Sequence, residues 1–221
     1  MEQALSVRSS VRWTMTVLAM CSVVALGCSE PDEAPYVRDA TASDQTYDFC
    51  TQCHGADLQG NPEIGAPTIA GLPAWYVEGQ LKKFKDGVRG THYDDINGMK
   101  MRPMTLALTE HDIVEIAKVV EKKSPAGAHA SLENGDPTRG KTLFAPCTAC
   151  HGPDAKGNPQ LNAPPLHEAN DWYLLTQLKN FKHGVRGANP KDTTGGQMRP
   201  MAQGLADEQA MRDVIAYIGT L

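Results

Sequence analysis

The chain has 221 residues and is mildly acidic, with 21 Lys and Arg against 26 Asp and Glu. That balance excludes an extended basic surface for nucleic acid, and with aromatic residues at only 6% a core built from side chains alone would be thin. Six cysteines point to bound chemistry or cross-links.

In chain order, Arg8 and Arg12 precede an apolar run from Trp13 to Leu26 that ends in small residues, the layout of a secretory signal over residues 1–28. Spanning a bilayer takes about 20 residues, more than this run offers. Ala25-Leu26-Gly27-Cys28 resembles a bacterial lipobox, in which Cys28 becomes the lipid-modified N-terminus. Ala25 and Gly27 also fit ordinary signal cleavage, which leaves Cys28 without lipid. Residues 29–42, with Glu30, Asp32 and Glu33 beside two prolines, read as a solvated tether. The expected location is the periplasm, with the chain held at a membrane through Cys28. Loss of Arg8, Arg12 and Glu2 with the signal takes the net charge from −5 to −6.

A first helix is predicted over 43–53 and presents Tyr47 inward. It ends in Cys50-Thr51-Gln52-Cys53-His54, and Cys147-Thr148-Ala149-Cys150-His151 repeats the pattern. Cys-x-x-Cys-His is the attachment signature of a c-type haem: the two thiols bind one porphyrin and the adjacent His faces its iron. Zinc-binding pairs of this type sit about 15–20 residues apart, whereas 93 residues lie between Cys53 and Cys147. A redox Cys-x-x-Cys needs a βαβ context, and this Gly- and Pro-punctuated chain has no strand alternation. Two covalent haems, and with them electron transfer, follow as the leading expectation.

A second helix is predicted over 74–86, with Tyr76, Gln80, Leu81 and Phe84 near one face and Gly87 as its stop. Gln80 is polar on that face, so either core hydrogen bonding or contact with a haem propionate accounts for it. A third helix begins at the capping-box pattern Thr109-x-x-Asp112 and carries Ile113, Ile116, Ala117 and Val120 as a core stripe. Residues 123–137, rich in Pro, Gly, Ala and Ser, form a linker. In the second half the corresponding helices are expected over 138–150, over 171–183 and from Asp207 onward. Asp136 or Thr138 can cap the first of these, Pro146 distorts its last turn, and Phe144 points inward.

A shift of 97 residues superposes the two halves, 43–122 on 138–221. Pro67 meets Pro164, Trp75-Tyr76 meets Trp172-Tyr173, Gln80 meets Gln177, and Gly87-Val88-Arg89-Gly90 meets Gly184-Val185-Arg186-Gly187. The repeat also filters candidates for a second axial ligand. Of seven histidines only His54 and His151 recur at this offset, whereas Met101 pairs with Met198 and Met104 with Met201. A thioether suits an iron that shuttles electrons at raised potential. Met101 and Met198 stand two residues before a proline, which is expected to hold the ligand loop extended, so this pair is favoured. Met104 and Met201 are expected to fill core gaps. Arg89, Arg102, Arg186 and Arg199 recur as well, either as propionate partners or as surface residues.

These motifs resemble those of class I cytochromes c, in particular two-haem cytochromes of the c-four kind, over both modules. The resemblance implies an all-α fold of two tandem cytochrome c domains, each with three main helices around a covalent haem. It implies proximal ligation by His54 and His151, distal ligation by Met101 and Met198, and covalent attachment through Cys50, Cys53, Cys147 and Cys150. It also implies that Pro67 and Pro164 accept the Nδ1 hydrogens of the proximal histidines. Ser43 departs from the pattern, since the second module has the family-like Gly140 at that position. The expected function is one-electron transfer between redox proteins by a carrier that is not itself an enzyme. The alternatives are a fixed cytochrome subunit of a membrane dehydrogenase or oxidase, and a two-haem peroxidase, which the matching methionine offsets oppose.

Overall fold

The computed structural model describes residues 42–125 and 131–221, with side chains from Tyr47 onward in the first helix. The predicted signal, Cys28 and nearly all of the tether lie outside the described residues. The described part belongs to one compact unit.

Helix starts follow local capping chemistry. Thr109 and Asp112 exchange side-chain and backbone hydrogen bonds in a complete capping box that opens a helix over Glu110–Glu121. Its stripe of Ile113, Ile116, Ala117 and Val120 is buried. Asp136 accepts from the N–H groups of Thr138 and Arg139, so it, and not Thr138, caps the first helix of module two. Pro137 occupies the first turn, where its missing N–H is harmless.

Module one runs α1 (Ala42–His54), α2 (Ala74–Lys85), α3 (Ile96–Leu106) and α4 (Glu110–Glu121). Module two runs α5 (Pro137–Phe144), α6 (Thr148–His151), α7 (Asp171–Lys182), α8 (Thr193–Gln203) and α9 (Glu208–Ile218). A 3₁₀ turn over Ala145–Cys147 separates α5 from α6 at Pro146, the predicted distortion. Among the described residues every regular element is helical, and pairing is limited to isolated bridges at Asn61–Ala66 and Asn158–Ala163.

Leu58, Val77, Leu81, Ile113, Ile116 and Val120 form the core of module one, with Tyr47 packed on its edge. Phe144, Leu174, Leu175, Met211, Val214 and Ile218 form that of module two. Gly140 lets α5 lie directly on α9, since a Cβ there would sit 1.9 Å from the Asp213 carbonyl oxygen.

Against the three expected, module one has four α-helices among the described residues and module two five, since Pro146 also splits its first helix into α5 and α6. The stretch around Met101 and Met198, expected to be extended, is helical and carries Pro103 or Pro200 inside it. Asp95 and Asp192 open these helices by accepting from the N–H groups of Gly98 and Gly195, at 3.1 and 3.0 Å. The proline removes one rung of each helix, and both rings are exposed. Glycines before the caps permit the approach: Gly90 and Gly187 have φ of +75° and +76°, and a Cβ on either would lie 2.3 Å from the carbonyl oxygen of Gly98 or Gly195.

Candidate cofactor site

The first Cys-x-x-Cys-His motif occupies the end of α1, and the second runs from the 3₁₀ turn at Cys147 through α6, which places the thiols and the imidazole of each around one helix end. The chain then folds back through a tight loop in which Leu58 and Ala155, both fully buried, adopt left-handed φ of 60° and 55°. That conformation disfavours side chains but is held by surrounding bonds: Leu58 O accepts from the N–H groups of Ile69 and Ala70 and from the Thr68 hydroxyl. The return segment of the loop carries Pro67 and Pro164 back to the histidines.

His54 Nδ1 lies 2.7 Å from the Pro67 carbonyl oxygen, and His151 Nδ1 lies 2.9 Å from that of Pro164. A carbonyl only accepts, so each Nδ1 carries the hydrogen and Nε2 keeps its lone pair. Burial pushes both imidazoles below the ordinary histidine range, and the proline carbonyls pull upward without cancelling that effect. A neutral imidazole with an oriented ring is the form that ligates a metal.

Cys53 and Cys150 are exposed, while Cys50 and Cys147 are half-buried with their thiols pushed up by burial. Met101 is half-buried against the apolar core of module one, and Met198 is likewise half-buried. Met104 and Met201, expected to fill core gaps, are instead 51% and 47% exposed. Thr105 takes the inward position at the end of α3, and Leu108 does so just beyond it.

Of the repeated arginines, Arg89 and Arg186 are buried at the junction of the modules, which rules out a surface role for them, while Arg102 and Arg199 are half-buried. Arg89 donates to Gln80 Oε1 of its own module at 2.9 Å, and to Gln177 Oε1 and Tyr173 OH of the other at 3.1 and 3.0 Å. Arg186 donates to Gln177 Oε1 at 2.7 Å and to Gln80 Oε1 at 3.0 Å, and pairs with Tyr76. Exchanging each residue for its counterpart 97 positions away reproduces the pattern, so the junction has local two-fold symmetry. Phe84 and Phe181 lie under the two guanidinium groups at 4.5 and 4.6 Å. Burial alone would raise the Tyr173 phenol, yet Arg89 and Arg186 outweigh it and hold the group below the usual tyrosine range. Lys83 adds an ion pair to Asp192 at 2.6 Å.

Sequence reasoning placed Gln80 and Gln177 on an inner face but missed that they, with Tyr76 and Tyr173, join the modules. Their recurrence at one offset was the available signal. It marks a shared job without saying whether the partner is in the same module.

The residues fit a covalent haem in each module. Each motif supplies two thiols and a neutral imidazole with Nε2 available. The Nε atoms of Arg89, Arg102, Arg186 and Arg199 are buried without an acceptor. A porphyrin brings two propionates, so two haems bring as many carboxylates as there are orphaned guanidinium donors.

Comparison with known proteins agrees. The family model described as cytochrome c matches residues 40–122 and 137–221. A thiosulfate dehydrogenase electron acceptor from Thiomonas intermedia is 31% identical over 203 residues, covering 87% of this chain and 85% of that protein. The cytochrome c4 structure from Acidithiobacillus ferrooxidans superposes with a TM-score of 0.64 at 27% identity, covering 79% of this chain and 99% of that one. A thiosulfate dehydrogenase structure from Marichromatium purpuratum gives 0.60 at 28% identity, covering 77% of this chain and 36% of that one.

Proposed function

The chain belongs to the cytochrome c family and carries two covalently bound haems c in an electron-transfer role, and from that premise we propose how its residues divide the work. Cys50 and Cys53 hold one haem and Cys147 and Cys150 the other. His54 and His151 ligate through Nε2, and Met101 and Met198 close the opposite side. Pro67 and Pro164 fix the imidazole rings, and the four orphaned arginine donors face the propionates. The haems supply one reversible one-electron couple each. With histidine and methionine side chains as the ligands of each haem, the chain would pass electrons and leave small molecules unbound.

The observation that carries this reading is the His–Pro bond, made at the same offset and in the same tautomer in both modules. Residues 43–122 and 138–221 act as the two haem modules, joined by a linker over 123–137. Residues 1–28 direct export to the periplasm, and 29–42 tether the modules to a membrane through a lipid on Cys28. No helix among the described residues is long and apolar enough to cross a membrane. The likeness to thiosulfate dehydrogenase electron acceptors supports a dehydrogenase of that kind as the electron source.

Potentiometric titration of the purified holoprotein, followed spectroscopically, tests the assignment. The expected result is two low-spin couples, each with a methionine–iron band, and no carbon monoxide binding at neutral pH. Ready carbon monoxide binding in the native protein refutes it. Mass spectrometry of the mature N-terminus tests the anchor, and a chain without acyl groups refutes that part alone.

A further inference from the structure

The repeat permits a position-by-position comparison of the outer surfaces of α3 and α8. On α3, Ile96, Met99, Pro103 and Leu106 follow one another at intervals of three and four residues, so they line one face. All are exposed, Ile96 at 56%, Met99 at 39% and Leu106 at 51%, and Tyr93 just before the helix is 75% exposed. The face opposite carries Gly98 and Thr105, which are buried, and Met101. At about 100° per residue the stripe centres roughly 180° from Met101, so it lies on the side of α3 opposite the core that Met101 packs against.

Module two has the same helix without the stripe. Thr193, Gly196 and Gln203 stand where module one has Ile96, Met99 and Leu106, and Pro190 replaces Tyr93. Charge follows the same division. Asp94 beside the stripe corresponds to Lys191, while Lys100 on α3 corresponds to Gln197, so the division lies in the modules as wholes. Residues 43–122 carry 8 Lys and Arg against 12 Asp and Glu, a net −4, whereas 138–221 carry 9 against 7, a net +2. Both helices open on the same aspartate cap and fold alike. Folding therefore does not require the apolar residues of α3, and exposing them has a solubility cost that a binding partner explains.

We propose that the outer face of α3 is the docking surface for a redox protein that presents an apolar patch ringed by basic residues, and that module one is accordingly the module through which electrons are exchanged with that partner. The inference rests on the electron-carrier reading above and adds to it the chemistry of the partner and the side it meets. An acidic module steers a basic partner, and an apolar centre holds it once water is displaced. Module two, polar on the same face and net positive over residues 138–221, lacks both attractions. The helix under the stripe is the one that carries Met101, which keeps the docked partner within one helix of the module-one site.

The test uses the reduced holoprotein and ferric mitochondrial cytochrome c as a basic probe. One electron leaves the holoprotein for each probe molecule reduced, and association is followed separately by sedimentation. Ile96→Thr with Leu106→Gln places on α3 residues that α8 already accommodates, so the fold is expected to persist. That double variant should slow exchange about tenfold at low ionic strength and weaken association, while its methionine–iron band and its oxidation by ferricyanide stay as in the wild type. Thr193→Ala with Gln203→Ala should leave exchange unchanged, and wild-type exchange should slow as salt rises. Equal rates in the wild type and the α3 variant overturn the proposal, as does an equal loss in the α8 variant or a salt-independent wild-type rate. Self-association or binding to phospholipid vesicles that the α3 variant abolishes also overturns it, by assigning the stripe to a second copy or a lipid surface. A wild type without the methionine–iron band refutes the ligand assignment instead, and the exchange comparison still reads the docking face.

Discussion

Module one and module two share the His–Pro bond, the buried arginine with its glutamine acceptor, and the aspartate cap before the methionine helix, each at an offset of 97 residues. They differ where neither cofactor nor junction is involved. Asp171 and Asp213 are buried in module two, and their counterparts are Ala74 and Ile116. Asp171 receives the backbone N–H groups of Ser131 and Leu132, and Asp213 receives that of Asp136 together with Gln209 and Arg139. These carboxylates clamp the segment by which the chain enters module two. A duplicated module thus keeps unchanged what the haem and the junction demand, and the linker adds a requirement that only the second copy meets.

The comparison breaks most visibly at the ligands. His54→Ala and His151→Ala should each lower the haem content from two per chain to one, as read by pyridine haemochrome assay; equal loss of both haems from either variant would show that the pockets are not independent. Met101→Ala and Met198→Ala should retain haem but lose one methionine–iron band. The affected couple should fall by a sizeable part of the roughly 0.8 V that axial ligation spans, and carbon monoxide should bind. Met104→Ala should change neither, since that side chain faces outward.

The junction gives a smaller effect. Arg89→Met leaves Tyr173 without its donor and removes two bonds to glutamine oxygens, so it should cost about 2–3 kcal/mol in denaturant unfolding. Arg186→Met should cost the same, and a difference of several-fold would show that the symmetry is only geometric.

Acid should sharpen the contrast at the linker. Burial alone would raise Asp213 and Asp171, but their hydrogen bonds outweigh it and hold both below the usual carboxylate range. Their stabilising contribution is therefore complete above the unfolded value of about 3.9 and is lost as pH falls through the lower folded values. Hydrogen exchange below that point should speed at the amides of Leu132 and Asp136 before the core of module one responds. Asp213→Asn should remove part of this dependence. The smallest effect is expected at the caps, where Thr109→Ala and Asp207→Ala should each lower stability by about 1 kcal/mol on thermal melts.

Much of this was legible because the controlling interactions are short in sequence. Thr109 and Asp112 specify the start of α4 three residues apart, and the apolar spacing of Ile113, Ile116 and Val120 sets its buried face. The Cys-x-x-Cys-His motif places its own three groups on one turn. The helical path through Pro103 was misread because a local rule about the residue before proline competes with a cap and a glycine contact, Gly90 to Gly98, that become visible only in three dimensions. Met104 was misread for a related reason, since the rotation of α3 depends on which residues α2 and α4 receive.

The amino-acid order by itself determined that there are two copies of one module, which cysteines and histidines form each motif, and where most helices begin, because each follows from chemistry within a few residues or from an exact offset. The folded chain alone decided that Arg89 and Arg186 meet across the junction, that Gln80 and Gln177 accept from both, and that Tyr76 and Tyr173 complete the set. Those contacts join residues up to 106 positions apart. Burial makes them matter, since a guanidinium removed from water must find acceptors wherever the packing of two modules happens to bring them.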